Sequence, residues 1–287
     1  MDPIPLIGAL CLLRADLLKR LIKSIDYPVQ HLVLLFQGKQ LAFSIEDLAN
    51  SNIMKLTLIR SSFNIGVSRG WNFIIKHYLT SYCLICGDDT FFESGCLQTI
   101  SRFMQAEDKL RNVYLGMNLK ERDRTVASGF SSFILTKASV EKIGLFDENI
   151  YPAYFEDDDY WVRIVLSGEK SECIPGAFIY SGDEQHASSL TLNSVCLEER
   201  IKMHTCYANN EKYYLQKWNE RANRGIEKCF KFPFNNPHHK LDGIFKHPNY
   251  FKNQQILLNH RKRPAFEIVE YRLASKKGAR KSGWRKN

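Results

Sequence analysis

Hydrophobic residues along the first hundred positions follow two alternating rhythms. An apolar run around "IPLIGALCLL" (4–13) breaks at Arg14 and Asp16 and reads as a buried strand. "ADLLKRLIKSI" then sets Leu17, Leu18, Leu21, Ile22 and Ile25 at helical spacing, with charges on the opposite face. "VQHLVLLF" (29–36) and "MKLTLIR" (54–60) read as further strands. "WNFIIKHYL" repeats Trp71, Ile74, Ile75, Tyr78 and Leu79 as a second amphipathic helix. "SYCLIC" is a strand that runs into Gly87, and a helix follows from Ser94 with that serine as N-cap, burying Leu97, Ile100, Phe103 and Met104. Strands alternating with helices predict an α/β fold: a mostly parallel, Rossmann-like sheet with helices on both faces.

The strand at "LICGDDTFF" (84–92) ends on two adjacent carboxylates, Asp88 and Asp89. Ligands of parallel α/β sheets bind beyond the carboxyl ends of the strands, so the pair is expected at a crevice. Further on, the pattern predicts a strand over 132–135, a short helix from Thr136 and a turn at Gly144–Asp147. Four consecutive acids, Glu156 to Asp159, then open a helix whose apolar positions are Trp161, Ile164 and Val165 and which Gly168 stops. Two acidic clusters suit a division of labour in which one grips a phosphate-bound divalent metal and the other acts as base. Each also has a plain explanation: Asp-Asp after a strand as a turn, and acids in a helix's first turn as partners of its dipole.

Composition adds three points. No apolar stretch reaches the ~18–20 residues of a transmembrane helix, and no positive leader precedes the first apolar run, so neither a span nor a signal anchor is expected. The eight cysteines are scattered without a disulfide framework, which points to reduced thiols in a cytosol-like compartment. Cys83 and Cys86 form a CxxC, but residues three apart in a strand face opposite ways, so they are expected as buried apolar side chains. The net charge of +9 is uneven: residues 228–287 carry 15 Lys and Arg against 3 Asp and Glu, and the preceding residues 25 against 28. That basic segment suits an acidic surface, of a membrane or a polyanion, and equally a solvated tail.

Four segments, in order, resemble the metal-dependent GT-A glycosyltransferases of the large family 2 type. They are "NIGVSRGWN" (64–72), "CGDDT" (86–90), "GLFDENIYPAYFEDDDYWVRI" (144–164) and "NNEKYYLQKW" (209–218). The resemblance spans about residues 4–218 and implies a GT-A domain over 1–218, with 219–287 as a basic extension, helical or partly disordered. It implies an inverting transferase that moves a sugar from a nucleotide-diphosphate donor, expected to be a UDP-sugar, onto a hydroxyl of a glycan acceptor with the help of Mn²⁺ or Mg²⁺. Asp89 would hold the ion and Asp88 the donor's hydroxyls, although the two acids can exchange roles. Asp157 is the base by motif position, Asp158 its nearest rival, and Glu156 an orienting group. His186 falls where the family often has a metal- or diphosphate-binding histidine, and a lone histidine is as often without such a role. Asn64, Gly66, Arg69 and Asn72 would form the turn beside the donor, the glycine allowing close approach and the arginine pairing with phosphate.

Some features depart from the family pattern. Gln37 and Gly38 stand where the family has an acid and a serine that read the nucleobase. The loop at 120–132 carries no decodable acceptor signature, and Phe130 and Tyr154 are either sugar-stacking or core residues. The anchorless, cysteine-bearing chain is similar to capsid-glycosylating enzymes of large DNA viruses of the chlorovirus type. That likeness implies a UDP-pentose donor, UDP-xylose, and action in host cytoplasm. Two other classes compete. A metal-dependent nuclease or phosphotransferase has no use for "NIGVSRGWN", and a non-enzymatic nucleic-acid or glycan-binding module would depend on the basic segment. No specific nucleic-acid partner is expected under the transferase reading.

Overall fold

The structure is a computed structural model that describes residues 2–12, 14–38, 43–121, 124–182, 197–218, 248–258, 264–273 and 280–286. Its centre is four parallel strands in the order β3 (Ile53–Ser61), β2 (Val29–Gln37), β1 (Ile7–Cys11) and β4 (Tyr82–Gly87). Each is an almost unbroken run of buried apolar residues, as expected of strands covered on both faces. Helices α1 (Ala15–Lys23) and α3 (Cys96–Met104) cover one face, with Leu18, Leu21, Leu97 and Ile100 in a common core. Helices α2 (Val67–Tyr78), α4 (Lys137–Lys142) and α5 (Glu156–Ser167) lie on the other, where Trp71, Ile74, Tyr160 and Ile164 share a second core. Cys86 belongs to the first core and Cys83 to the second, so the CxxC straddles the sheet.

Beyond β4 the sheet continues antiparallel through β8 (Ser132–Thr136) to β6 (Tyr114–Glu121), which pairs parallel with β9 (Ser171–Ser181). The short strands β5 (Thr90–Phe92) and β7 (Arg124–Ala127) pair antiparallel with β9 and β6. The short helix expected from Thr136 is α4, and a capping box between Thr136 and Ser139 opens it. The cap predicted for α3 is absent. Gly95, in the left-handed region at φ 78°, precedes that helix, while the Ser94 hydroxyl and the Gly95 N–H both donate to Asp26 Oδ2.

A second departure concerns residues 219–287. The hydrophobic pattern and motifs end at 218, yet strand β10 (Phe266–Arg272) pairs antiparallel along the whole of β3, and β11 (Arg280–Lys286) pairs with β10. Helix α7 (Pro248–Leu258) packs against α6 (Leu197–Trp218). Asn253 Nδ2 donates to the carbonyls of Tyr151 and Cys206, and Asn249 Nδ2 to that of Asn149. The described parts of this segment are therefore built into the domain. The strand carries no continuous apolar run, because Phe266, Ile268 and Tyr271 are only partly buried and Glu267 and Glu270 interrupt them.

The end of α6 closes the fold around buried charge. Lys217, with no exposed surface, places Nζ 2.9 Å from Asp147 Oδ2 and also contacts Asp159 Oδ1. Asp159 is held in turn by Arg163 at 3.0 Å and by the Trp218 indole N–H at 3.0 Å, and Tyr213 donates its hydroxyl to Asp147 at 2.8 Å. Burial alone pushes the Asp147 carboxyl up, but Lys217 and the Asn149 N–H more than reverse it and hold it below the usual carboxylate range. Removing the ammonium leaves two buried carboxylates with one cation between them, so Lys217→Met is expected to cost about 3–5 kcal/mol in urea unfolding at pH 7. A group whose folded pKa is depressed contributes stability above its unfolded pKa and loses it as pH falls. The deficit of the variant should therefore shrink below about pH 4, and a deficit independent of pH would contradict this.

Candidate active site

Asp88 and Asp89 form the two-residue turn between β4 and β5, at the carboxyl edge of the parallel strands. Asp88 is buried, and its Oδ2 accepts the Leu12 N–H at 3.0 Å just beyond the end of β1. Burial, opposed by that hydrogen bond and assisted by Asp89, pushes its pKa up to about 7. Asp89 is half-buried and accepts the Ser181 hydroxyl at 3.3 Å; burial likewise raises its pKa. The turn is held from outside by Arg20 of α1, which donates to the carbonyls of Asp89 and Gly182 and lies 4.3 Å over the Phe91 ring. Two adjacent carboxyls crowded away from water, with raised pKa values, fit a divalent cation, which Mg²⁺-type sites bind through one or two carboxylates and substrate phosphates. Among the described residues no three His, Cys, Asp or Glu converge on one point. His186 lies outside the described residues.

The "NIGVSRGWN" segment acts here as a brace. Asn64 accepts the Gly66 N–H at 2.9 Å through its side chain, and its carbonyl accepts the Tyr151 hydroxyl at 2.7 Å. Gly66 has φ 85°, and a Cβ there would lie 2.8 Å from the Tyr151 ring, so glycine is required by packing as well as by conformation. Asn72 is fully buried: its amide donates to the Phe146 carbonyl and to Glu148 and accepts the Phe146 N–H at 2.8 Å. Arg69 stands 3.8 Å from Glu148 and donates to the Tyr250 hydroxyl of α7. Gln37, in the nucleobase position of the motif comparison, is also buried and ties the same loop, accepting the Ile65 N–H and donating to the Gly66 carbonyl.

This brace positions the segment before α5. Tyr154 and Phe155 both have positive φ, a conformation that L side chains resist, so the turn into the helix depends on the contacts that hold it. Asn210 of α6 fastens the segment further by donating to the carbonyls of Tyr151 and Ala153. The four acids then separate. Asp159 belongs to the buried charge network. Glu156 is buried, its Oε2 has no hydrogen-bond partner among the described residues, and burial with the charges of Asp157 and Asp158 raises its pKa well above normal. Asp157 is half-buried with its pKa raised by burial, and its Oδ1 accepts the Asp158 N–H at 2.9 Å. Asp158 is exposed, and burial of part of its carboxyl and the neighbouring Asp157 raise its pKa.

Of the apolar positions expected on α5, Ile164 is buried and the other two are not. Trp161 is 43% and Val165 60% exposed, whereas Asp159, Tyr160, Arg163 and Ile164 are buried. Ion pairing between Asp159 and Arg163, one turn apart, turns a charged stripe inward, which a hydrophobicity pattern cannot register. Phe130 proves to be an edge of the core, against Tyr114, Phe133 and Tyr160, while the Tyr154 ring meets Tyr207 on α6.

Asp157 and Asp158 line a pocket of about 390 Å³ with Tyr114, Phe130 and Trp161. Neither Asp88 nor Asp89 lines it. Gly129 and Phe130 form part of its wall, the Thr90 hydroxyl lies 3.5 Å from the Ser131 carbonyl, and Ser132 is paired with Cys86 at the end of β4. The 129–131 turn thus touches both the pocket wall and the residue that follows the paired acids. The motifs announced the acids themselves. Arg20, Ser181 and Asn210 had no recognised signal, although Asn210 lies inside "NNEKYYLQKW".

No known family's sequence profile matches the chain. Over 51 residues, 17% of its length, it is 41% identical to a galactofuranosyl glycosyltransferase of Leishmania donovani, and it spans 12% of that relative. Among solved structures it is similar to the mannosyltransferase PcManGT of Pyrobaculum calidifontis, determined in complex with GDP-Man and Mn²⁺. The TM-score is 0.52 at 13% identity, over 90% of this chain and 75% of that one. It is also similar to TarS of S. aureus, with a TM-score of 0.50 at 13% identity over 72% of this chain and 43% of TarS. With its parallel core, antiparallel flank and helices on both faces, the chain has the α/β architecture of these GT-A glycosyltransferases.

Proposed function

We propose that the protein is a metal-dependent, inverting glycosyltransferase that moves a sugar from a nucleotide-diphosphate donor, a UDP-sugar, to a hydroxyl of a glycan acceptor. The observation that carries this reading is that the 129–131 turn, which walls the pocket lined by Asp157 and Asp158, also meets Thr90, the residue that follows the paired acids at the carboxyl edge of the parallel strands. The Mn²⁺ and GDP-Man named for the similar mannosyltransferase support it. On this reading Asp89, with Asp88 beside it, holds Mn²⁺ or Mg²⁺, which when bound supplies electrostatic stabilisation of the departing diphosphate. His186 is a further metal ligand, and Arg69, released from Glu148, reaches a phosphate.

Asp157 removes the acceptor's hydroxyl proton through Oδ2. The oxygen attacks the anomeric carbon, the carbon–oxygen bond to the diphosphate breaks on the opposite face, and the electron pair leaves with the nucleotide. The proton ends on Asp157. Its pKa, raised by burial, makes it a stronger base than a solvated aspartate.

Calorimetric titration with UDP and GDP, each with and without Mn²⁺, tests the first half. UDP should bind in a metal-dependent manner, and Asp89→Ala should weaken that binding by about tenfold or more. Metal-independent binding, or none of either nucleotide, would end the reading; turnover of another donor with none of UDP-xylose would remove xylose alone. For the second half, Asp157→Asn should lower transfer by about 10²–10⁴ and leave UDP affinity unchanged. In the wild type kcat/KM should fall as pH drops through a value above the ordinary aspartate range, because the carboxyl must be ionised to accept the proton. An acid limb that survives in Asp157→Asn would assign the base to Asp158.

A further inference from the structure

The pocket beside Asp157 has a composition that selects among ligands. Trp161 follows Asp157 by four residues and Asp158 by three, so on α5 the indole stands over both carboxylates. It is 43% exposed despite its size, and it meets Tyr114 edge-on at 5.5 Å, which leaves indole surface facing the cavity it lines. The opposite wall is apolar in effect, because the Tyr114 hydroxyl is committed to the Gly129 carbonyl at 2.6 Å and Phe130 adds its ring. At the far end Glu172 also lines the cavity, but Lys109 at 3.0 Å, Asn112 at 3.1 Å and Lys170 at 3.6 Å neutralise it and hold its pKa low. None of the lining residues is a lysine or an arginine, so Asp157 and Asp158 are the uncompensated charges of the site.

An aromatic platform beside hydrogen-bond acceptors fits a ring with one apolar face and several hydroxyl groups, and the volume falls in the range of small-molecule sites. A carboxylate on that ring would lie among like charges with no cation to offset its desolvation. We propose that this pocket is the acceptor subsite, that it takes an uncharged sugar stacked on Trp161, and that it rejects uronic and sialic acids. The proposal rests on the transferase reading, which supplies the need for an acceptor beside Asp157.

Saturation-transfer NMR on the full chain, with UDP and Mn²⁺ present, provides a readout independent of turnover. The probes are neutral methyl glycosides of xylose, galactose, mannose and rhamnose, set against methyl glucuronide and a methyl sialoside. At least one neutral glycoside should bind and neither acid should. Trp161→Ala should weaken that binding about tenfold, and Trp161→Phe should restore most of it. Because Trp161 is exposed, the Ala variant should keep the wild-type Tm and metal-dependent UDP affinity, which separates a lost platform from a lost fold. Binding of the acidic probes as tight as the neutral ones, binding indifferent to Trp161→Ala, or no neutral glycoside bound at all would each overturn the proposal. If UDP still bound with Mn²⁺, the transferase reading would survive that result; absence of metal-dependent UDP binding would strike the transferase reading instead.

Discussion

An ammonium buried between two carboxylates organises the second half of this molecule. Lys217 reaches Asp147, in the turn that enters the brace, and Asp159, in the first turn of α5, from the last turn of α6. Desolvating one such ion costs several kcal/mol, and only the alternation Asp147, Lys217, Asp159, Arg163 makes the cluster neutral. Three elements distant in sequence are thereby forced to one point, and the direction of α5 is fixed by charge. The consequence reaches the site directly. With Asp159 turned inward, helical geometry leaves Asp157 and Asp158 facing outward, with Trp161 one turn on from them.

The central strands were legible because strands covered on both faces are nearly continuous apolar runs; β2 to β4 fall within one residue of the pattern, and β1 lies inside the longer run over 4–13. Charge-dependent orientation was not legible. Trp161 and Val165 are apolar yet largely exposed, while Arg163 is buried with its guanidinium on Asp159 and the carbonyls of Ile143 and Leu145. A pattern of hydrophobicity scores each residue alone, and the pairing that makes burial of Arg163 favourable exists only in three dimensions. The same limit explains β10, whose partly buried residues gain their meaning from lying along β3.

The motif residues were found at the right places and for a partly different physical reason. Asn64, Gly66 and Asn72 each spend their polar groups or their lack of a side chain on the segment from Phe146 to Pro152. A short motif of this sort specifies the geometry of a neighbour that it does not touch in sequence. Arg69 differs, because its charge stands 3.8 Å from a Glu148 carboxyl whose pKa burial pushes up to about 7.

Residues 219–287 carry the basic charge of the chain, and their described parts are structural. Asn253 and Asn249 donate to the carbonyls of Tyr151 and Asn149, and Asn210 accepts from both asparagines while donating to Tyr151. These are buried, neutral hydrogen bonds, each modest in net stability but costly to leave unmade. They hold the chain immediately before two residues of positive φ, where backbone strain favours relaxation to another conformation. Removing residues 228–287 would release that segment and strip β10 from β3. Loss of function on such a deletion therefore cannot distinguish a binding tail from a catalytic domain, since both lose the scaffold that orients α5.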